Sequence, residues 1–123
     1  MELKVTHIEG TIPQVSIECT YRHGEINTAN NFIAIFGDTL TPNGSQAVAI
    51  NFYADNFPLA EDTVCQVVLA TLEDEDGNIY HIRTHAQPSI SINGNEVTLT
   101  YTDCLLPLNG TNGTIIVKFI NQL

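Results

Sequence analysis

Val64-Cys65-Gln66-Val67-Val68-Leu69-Ala70-Thr71-Leu72, then Glu73-Asp74-Glu75-Asp76-Gly77-Asn78, then Ile79-Tyr80-His81-Ile82-Arg83-Thr84-His85 is the stretch that decides the fold class. Two runs rich in β-branched residues flank an acidic turn. Asp-Gly is a strong hairpin signal because glycine takes positive φ without strain. The first arm is apolar on both parities, which predicts a strand lying deep between two layers. The second arm alternates, with Tyr80 and Ile82 on one side and His81, Arg83 and His85 on the other.

The same two-residue period recurs outward from this hairpin. Val15, Ile17, Cys19 and Tyr21 are predicted to point inward from one strand, with Ser16, Glu18 and Thr20 outward. Phe32–Phe36 is a short apolar run of strand length. Val48, Ile50 and Phe52 alternate against Ala47, Ala49, Asn51 and Tyr53. Ser89–Ile92 and Glu96–Tyr101 flank Asn93-Gly94-Asn95, a second hairpin. Leu3–Ile8 and Thr114–Ile120 supply a first and a last strand. The polar segments Arg22–Asn30, Asp55–Thr63 and Asp103–Gly113 read as loops, and Thr41–Ser45 as a turn.

About nine strands result, and no segment sustains a helical period. Without helices to carry parallel crossovers, the pairing is antiparallel. The predicted fold is therefore all-β, a two-sheet antiparallel β-sandwich of immunoglobulin-like or jelly-roll type, with a small closed β-barrel as the alternative. The Cys…Trp…Cys pattern of true immunoglobulin domains is missing, since the chain has no Trp.

Composition agrees. A chain of 123 residues is expected to form a single domain, 1–123, with a core that needs no staples. It holds 14 Thr and 14 Ile, residues whose branched side chains fit a pleated surface. Charged residues make up 15%, against about 25% in an average soluble domain. A surface of neutral polar groups loses less hydration when a partner covers it.

The net charge of −10 leaves only Lys4, Arg22, Arg83 and Lys118 as fixed cations. Nucleic-acid binding needs clustered cations to displace counterions, and anionic membranes need the same. Both partners are excluded on this reading, whereas a basic protein surface is compatible. Cys19, Cys65 and Cys104 are odd in number and widely spaced, which favours buried reduced thiols over a disulfide framework or a zinc knuckle. Met1–Ile8 has no apolar leader core and no small-residue cleavage site, so synthesis in the cytoplasm is expected, and no run is long enough to span a membrane.

The acidic turn invites a calcium reading through Asp74, Asp76 and Asn78, because hard cations seek clustered oxygens. The EF-hand pattern with Gly77 at its sixth position fails, however. Its first and twelfth positions fall on Leu72 and Arg83. The competing reading is a solvated hairpin tip whose charges keep it from sticking to other sheet edges. His81 and His85 on one strand stand about 13 Å apart, too far for one zinc ion. With Arg83 they form a polar face suited to a partner, which His7 and His23 would have to join through the fold.

No nucleophile elbow, zinc-protease helix motif or phosphate loop is present, so no enzyme is expected, and no cofactor. Sugar-binding modules use flat aromatic platforms. This chain's Tyr21, Tyr53, Tyr80 and Tyr101 are predicted to face inward. Asn43, Asn109 and Asn112 match the glycosylation pattern but read as turn chemistry.

The expected function is a non-enzymatic interaction module that docks on a larger assembly or self-associates. A phage head-decoration or tail-associated subunit is the analogue. Contacts are expected through edge strands and the three long loops, with His81, Arg83, His85, Asn109 and Asn112 as the candidate residues. The alternative is a carbohydrate- or ligand-binding module, calcium-dependent in one version.

Overall fold

The structure is a computed structural model and describes residues 1–13, 15–39, 47–82, 86–105 and 112–122. Its strands are β1 (Glu2–Leu3), β2 (Val5–Ile12), β3 (Val15–Glu18), β4 (Tyr21–Asn27), β5 (Phe32–Asp38), β6 (Ala47–Ala54), β7 (Cys65–Glu73), β8 (Ile79–Ile82), β9 (Ser89–Asn93), β10 (Glu96–Leu105) and β11 (Asn112–Ile120). The described residues contain no helix.

Two antiparallel sheets pack face to face. Six strands run in the order β1-β4-β5-β6-β7-β8, and five in the order β9-β10-β11-β2-β3. The sheets are not closed into a barrel, so the sandwich expectation holds, with eleven strands instead of nine.

Two corners join the sheets. At the first, one hairpin serves both layers. Its closed end pairs from Ile12↔Val15 to Glu9↔Glu18 in the five-stranded sheet. The Cys19 N–H then donates to the Ile8 carbonyl at 2.9 Å. The same register resumes in the other sheet at Leu3↔Gly24 and Glu2↔Glu25. Between these ends the two chains part, and Arg22 Nη1 donates to the Thr6 carbonyl at 2.9 Å. At the second corner β10 shifts register between Tyr101 and Cys104, with Asp103 at φ 60°. Beyond that shift, Cys104 and Leu105 pair with β8.

The inner faces form one core. Ile33, Ile35, Val48, Ile50, Phe52 and Leu72 of the larger sheet lie buried with Ile8, Ile17, Leu99, Ile115, Val117 and Phe119 of the smaller. Each such side chain contributes about 1.5–3 kcal/mol on leaving water. Gly10 lies tight against the other layer, where an added Cβ would fall on Leu72 Cδ1.

Cys19 and Cys65 are free and buried, and burial pushes both thiols up to about 11. Tyr101 is buried too. Its hydroxyl alone among the described buried side-chain polar atoms finds no partner. An orphaned hydroxyl costs about 1–3 kcal/mol. Tyr101→Phe is therefore expected to raise stability by about 1 kcal/mol in urea denaturation. A loss of stability would reveal a hydrogen bond there.

The Asp55–Thr63 loop is anchored across the sandwich. Buried Asn121, just after β11, donates through Nδ2 to the Leu59 carbonyl at 2.7 Å. It accepts the Leu59 N–H on Oδ1 at 2.8 Å. The loop thus ties the β6–β7 end of one sheet to the last strand of the other.

Several sequence expectations need correction. The Asp103–Gly113 segment is strand at both ends, since β10 runs through Leu105 and β11 begins at Asn112. Arg22–Asn27 is strand β4, not loop: Gly24 and Ile26 face inward, and a glycine gives no apolar signal to mark the alternation. Tyr21 is 57% exposed because the chain changes sheets at Cys19–Thr20, which breaks the parity set by Ile17 and Cys19. The β7 arm is not covered on both sides. A bulge makes Asn51 face Leu69 while Phe52 faces Val67, so Val68 is the extra residue. Val68 and Leu69 stand 52% and 45% exposed, and the buried parity switches from Cys65 and Val67 to Ala70 and Leu72.

Candidate docking face

The pairing registers align the outer side chains of the six-stranded sheet into rows. One row runs Asn27, Phe32, Tyr53, Gln66. The next runs Glu25, Ala34, Asn51, Leu69. A third runs His23, Phe36, Ala49, Thr71, His81. Tyr21 with Asp38, and Glu73 with Ile79, close the far side.

Single exposed apolar residues are ordinary on any surface, so only their clustering is informative. Here the clustering is complete. Apart from Met1, the exposed large apolar side chains among the described residues are Tyr21, Phe36, Tyr53, Val64, Val68, Leu69 and Ile79. All seven stand on strands, or next to strands, of the six-stranded sheet, at outward parity. The opposite face of the sandwich differs in kind. Its outward positions include Thr98, Thr100, Ser89, Ser91, Ser16, Lys118, His7, Glu9 and Glu18, and its outward apolar side chains on β11, Ile116 and Ile120, are half-buried.

Aromatic contacts stiffen the apolar face. His23 stacks on Phe36 with centroids 5.3 Å apart and planes at 21°. Phe32 meets Tyr53 at 4.8 Å and 56°. The rim is acidic: Glu25, Asp38 and Glu73 sit in the outer rows and Asp55 lies beside Val64. Among the described residues no Lys or Arg joins them. Arg22 reaches away to Thr6, Lys118 lies on the other sheet, and Lys4 precedes β2.

The residues singled out from sequence fall in different places. His81 is exposed on this face opposite Thr71, whereas Arg83, His85 and Asn109 lie outside the described residues, as do Asn43 and the Thr41–Ser45 turn. Asn112 is exposed at the start of β11 and lines, with Thr11, Pro13 and Asp103, a hollow of about 400 Å³. His7 and His23 do not join His81. His7 lies on the smaller sheet, with Nε2 3.4 Å from Glu9 and Nδ1 3.6 Å from Glu18. His23 shares a row with His81 but stands four strands away, about 19 Å at ordinary strand spacing. Tyr80 and Tyr101 are buried as expected; Tyr21 and Tyr53 are not.

Asp74 is a hairpin cap. Its Oδ1 accepts the Asp76 N–H at 3.0 Å and the Asn78 N–H at 2.9 Å. Its Oδ2 accepts Asn78 Nδ2 at 3.1 Å and the Tyr80 hydroxyl at 3.4 Å. Gly77, at φ 80°, donates its N–H to the Asp74 carbonyl and closes the turn. Both carboxylate oxygens are thus engaged by the hairpin itself.

Burial alone would raise this carboxyl, but the bonds from Asn78, Asp76 and Tyr80 outweigh it and hold Asp74 below its ordinary 3.8. A depressed carboxyl stabilises the fold above its unfolded value and loses that contribution as pH falls through the folded one. Asp74→Asn is expected to cost about 2 kcal/mol at neutral pH, the scale of hydrogen bonds to a charged group. The gap from wild type should close as pH drops below 3.8. Paired denaturation curves at neutral and acid pH check this; a gap independent of pH would contradict it.

No protein-family model, curated protein or solved structure matches this chain. The functional reading therefore rests on the two unlike faces of the sandwich. Phe36, Tyr53, Val68 and Leu69 were missed as surface residues in the sequence. For Phe36, Val68 and Leu69 the signal was an apolar run on both parities, which a doubly covered strand also gives; for Tyr53 it was the alternation itself, which set it opposite Val48, Ile50 and Phe52.

Proposed function

We propose that the protein is a non-enzymatic docking module that attaches to a larger assembly through the outer face of its six-stranded sheet. The observation that carries this is the gathering of the exposed apolar side chains on that one face. The acidic rim and the absence of described cations there favour a partner with an apolar centre edged by Lys and Arg. An accessory subunit of a phage head or tail is the setting we favour, by analogy of architecture.

Co-sedimentation from a lysate of the source cells tests the reading. Wild type and Thr98→Glu are expected to travel with a large complex and to be released by salt. Leu69→Glu is expected to remain small. Three variants that behave alike would overturn it.

A second reading is favoured by one observation, the exposure of Tyr53 beside Gln66, Asp55 and Val64 around a hollow of about 350 Å³. Under it the face holds a sugar or another small ligand. The 56° tilt between Phe32 and Tyr53 weighs against it, because the pair offers no flat platform. Tyr53→Ala would abolish sugar binding, whereas broad docking would survive it in weakened form.

A further inference from the structure

Sheet edges expose unpaired backbone groups, and folded proteins shield them with charge, proline, bulges or brevity. Most edges here are shielded in these ways. β1 has two residues. β3 has four and ends on Glu18. β8 is paired on both sides. β9 is the exception: five residues, Ser89-Ile90-Ser91-Ile92-Asn93, uncharged, free of proline, and paired on one side only among the described residues.

The turn sets which of its groups face outward. Gly94 takes φ 61° in a two-residue loop closed by Asn93↔Glu96. Glycine at the first loop position marks a tight hairpin whose closing residues exchange hydrogen bonds. Bonded pairs alternate from there, so Ser91↔Thr98 and Ser89↔Thr100 are bonded, and Ile90 and Ile92 aim their N–H and C=O groups at the free edge.

We propose that β9 is a self-association edge. Two copies pair β9 to β9, antiparallel, about a two-fold axis through Ser91, so that the two five-stranded sheets become one. Three features point to a second copy as the occupant. The strand reads nearly the same in both directions about Ser91. That register sets Ile90 against Ile92 of the other copy, so the outward backbone groups meet each other. The strand is also an uncharged stretch on a chain of net charge −10, where two copies repel least. An edge contact buries less than a standard interface of about 1,600 Å², so the dimer is weak.

Sedimentation of the whole chain from about 1 μM to about 1 mM spans that regime. A monomer that becomes a dimer, more readily at high salt, is expected, because salt screens the repulsion between acidic copies. This is opposite in sign to docking on a basic partner. Ser91→Lys puts like charges face to face and is expected to weaken the dimer at least about tenfold. Ser91→Cys sets two thiols across the axis about 4.5 Å apart at Cα, within disulfide reach. It is expected to cross-link in air, with wild type and Thr98→Cys as uncross-linked controls. A monomer throughout the range would overturn the proposal. So would a dimer that responds to Leu69→Glu but not to Ser91→Lys, or an uncross-linked Ser91→Cys protein.

Discussion

Asn121→Ala is expected to destabilise the protein by about 3–4 kcal/mol, since each buried backbone group left without a partner costs about 1–3 kcal/mol. The amide of Asn121 satisfies both the N–H and the C=O of Leu59, and all of these groups are buried. The loss does not stop at two hydrogen bonds. Leu59 packs in the core, and the loop that carries it is braced by Thr63 Oγ1, which accepts the Ala60 N–H at 2.7 Å and donates to Asn56 at 2.9 Å. Urea denaturation reads the effect as a lower midpoint with an unchanged slope. A shift below about 1 kcal/mol would mean that water replaces the amide at no cost.

Gly10→Ala is expected to cost about 2 kcal/mol through overpacking. Gly10 lies in β2, and a methyl there would occupy the place of Leu72 Cδ1, 3.6 Å from Val48 Cγ2. Leu72 is 1% exposed, so its side chain has nowhere outward to retreat. The mechanism makes a sharper statement about the pair. Leu72→Ala alone should cost about 2–5 kcal/mol by leaving a cavity. Together with Gly10→Ala it should cost less than the two added, with a coupling of about 1 kcal/mol or more. Additive losses would mean that the sheets move apart at Gly10 and no direct clash occurs.

Both effects depend on contacts between the layers, and that is where the sequence stops being legible. Period-two alternation identified most strands and most of the core, because a side chain's face follows from local backbone geometry. The hairpins at Gly77 and Gly94 were legible for the same reason, since glycine at positive φ is a local requirement. Strand β4 was missed because its inward positions begin with Gly24. The chain's change of sheet at Cys19–Thr20 turned Tyr21 outward, and no residue type announces such a corner. Asn121 follows the last predicted strand with no local signal of a role, and only the fold brings it to Leu59, sixty-two positions away.

The candidate site was the least legible part. An apolar run on both parities suits a strand covered by two layers, and that reading of Val64–Leu72 was the natural one. The bulge at Val68 gives the run a different meaning: its surplus apolar residues face outward on the same sheet face as Tyr53 and Phe36. A buried strand and a docking strand share this pattern, because each loses water on both sides, one on folding and the other on meeting its partner.

Photo-cross-linking tests the docking claim most directly. Leu69→p-benzoylphenylalanine, and the same replacement at Thr98 on the opposite face, would be compared within the intact assembly in source cells. The account expects an adduct from position 69, weakened at high salt, and none from position 98. Adducts from 98 alone, or equal adducts from both faces, would contradict it.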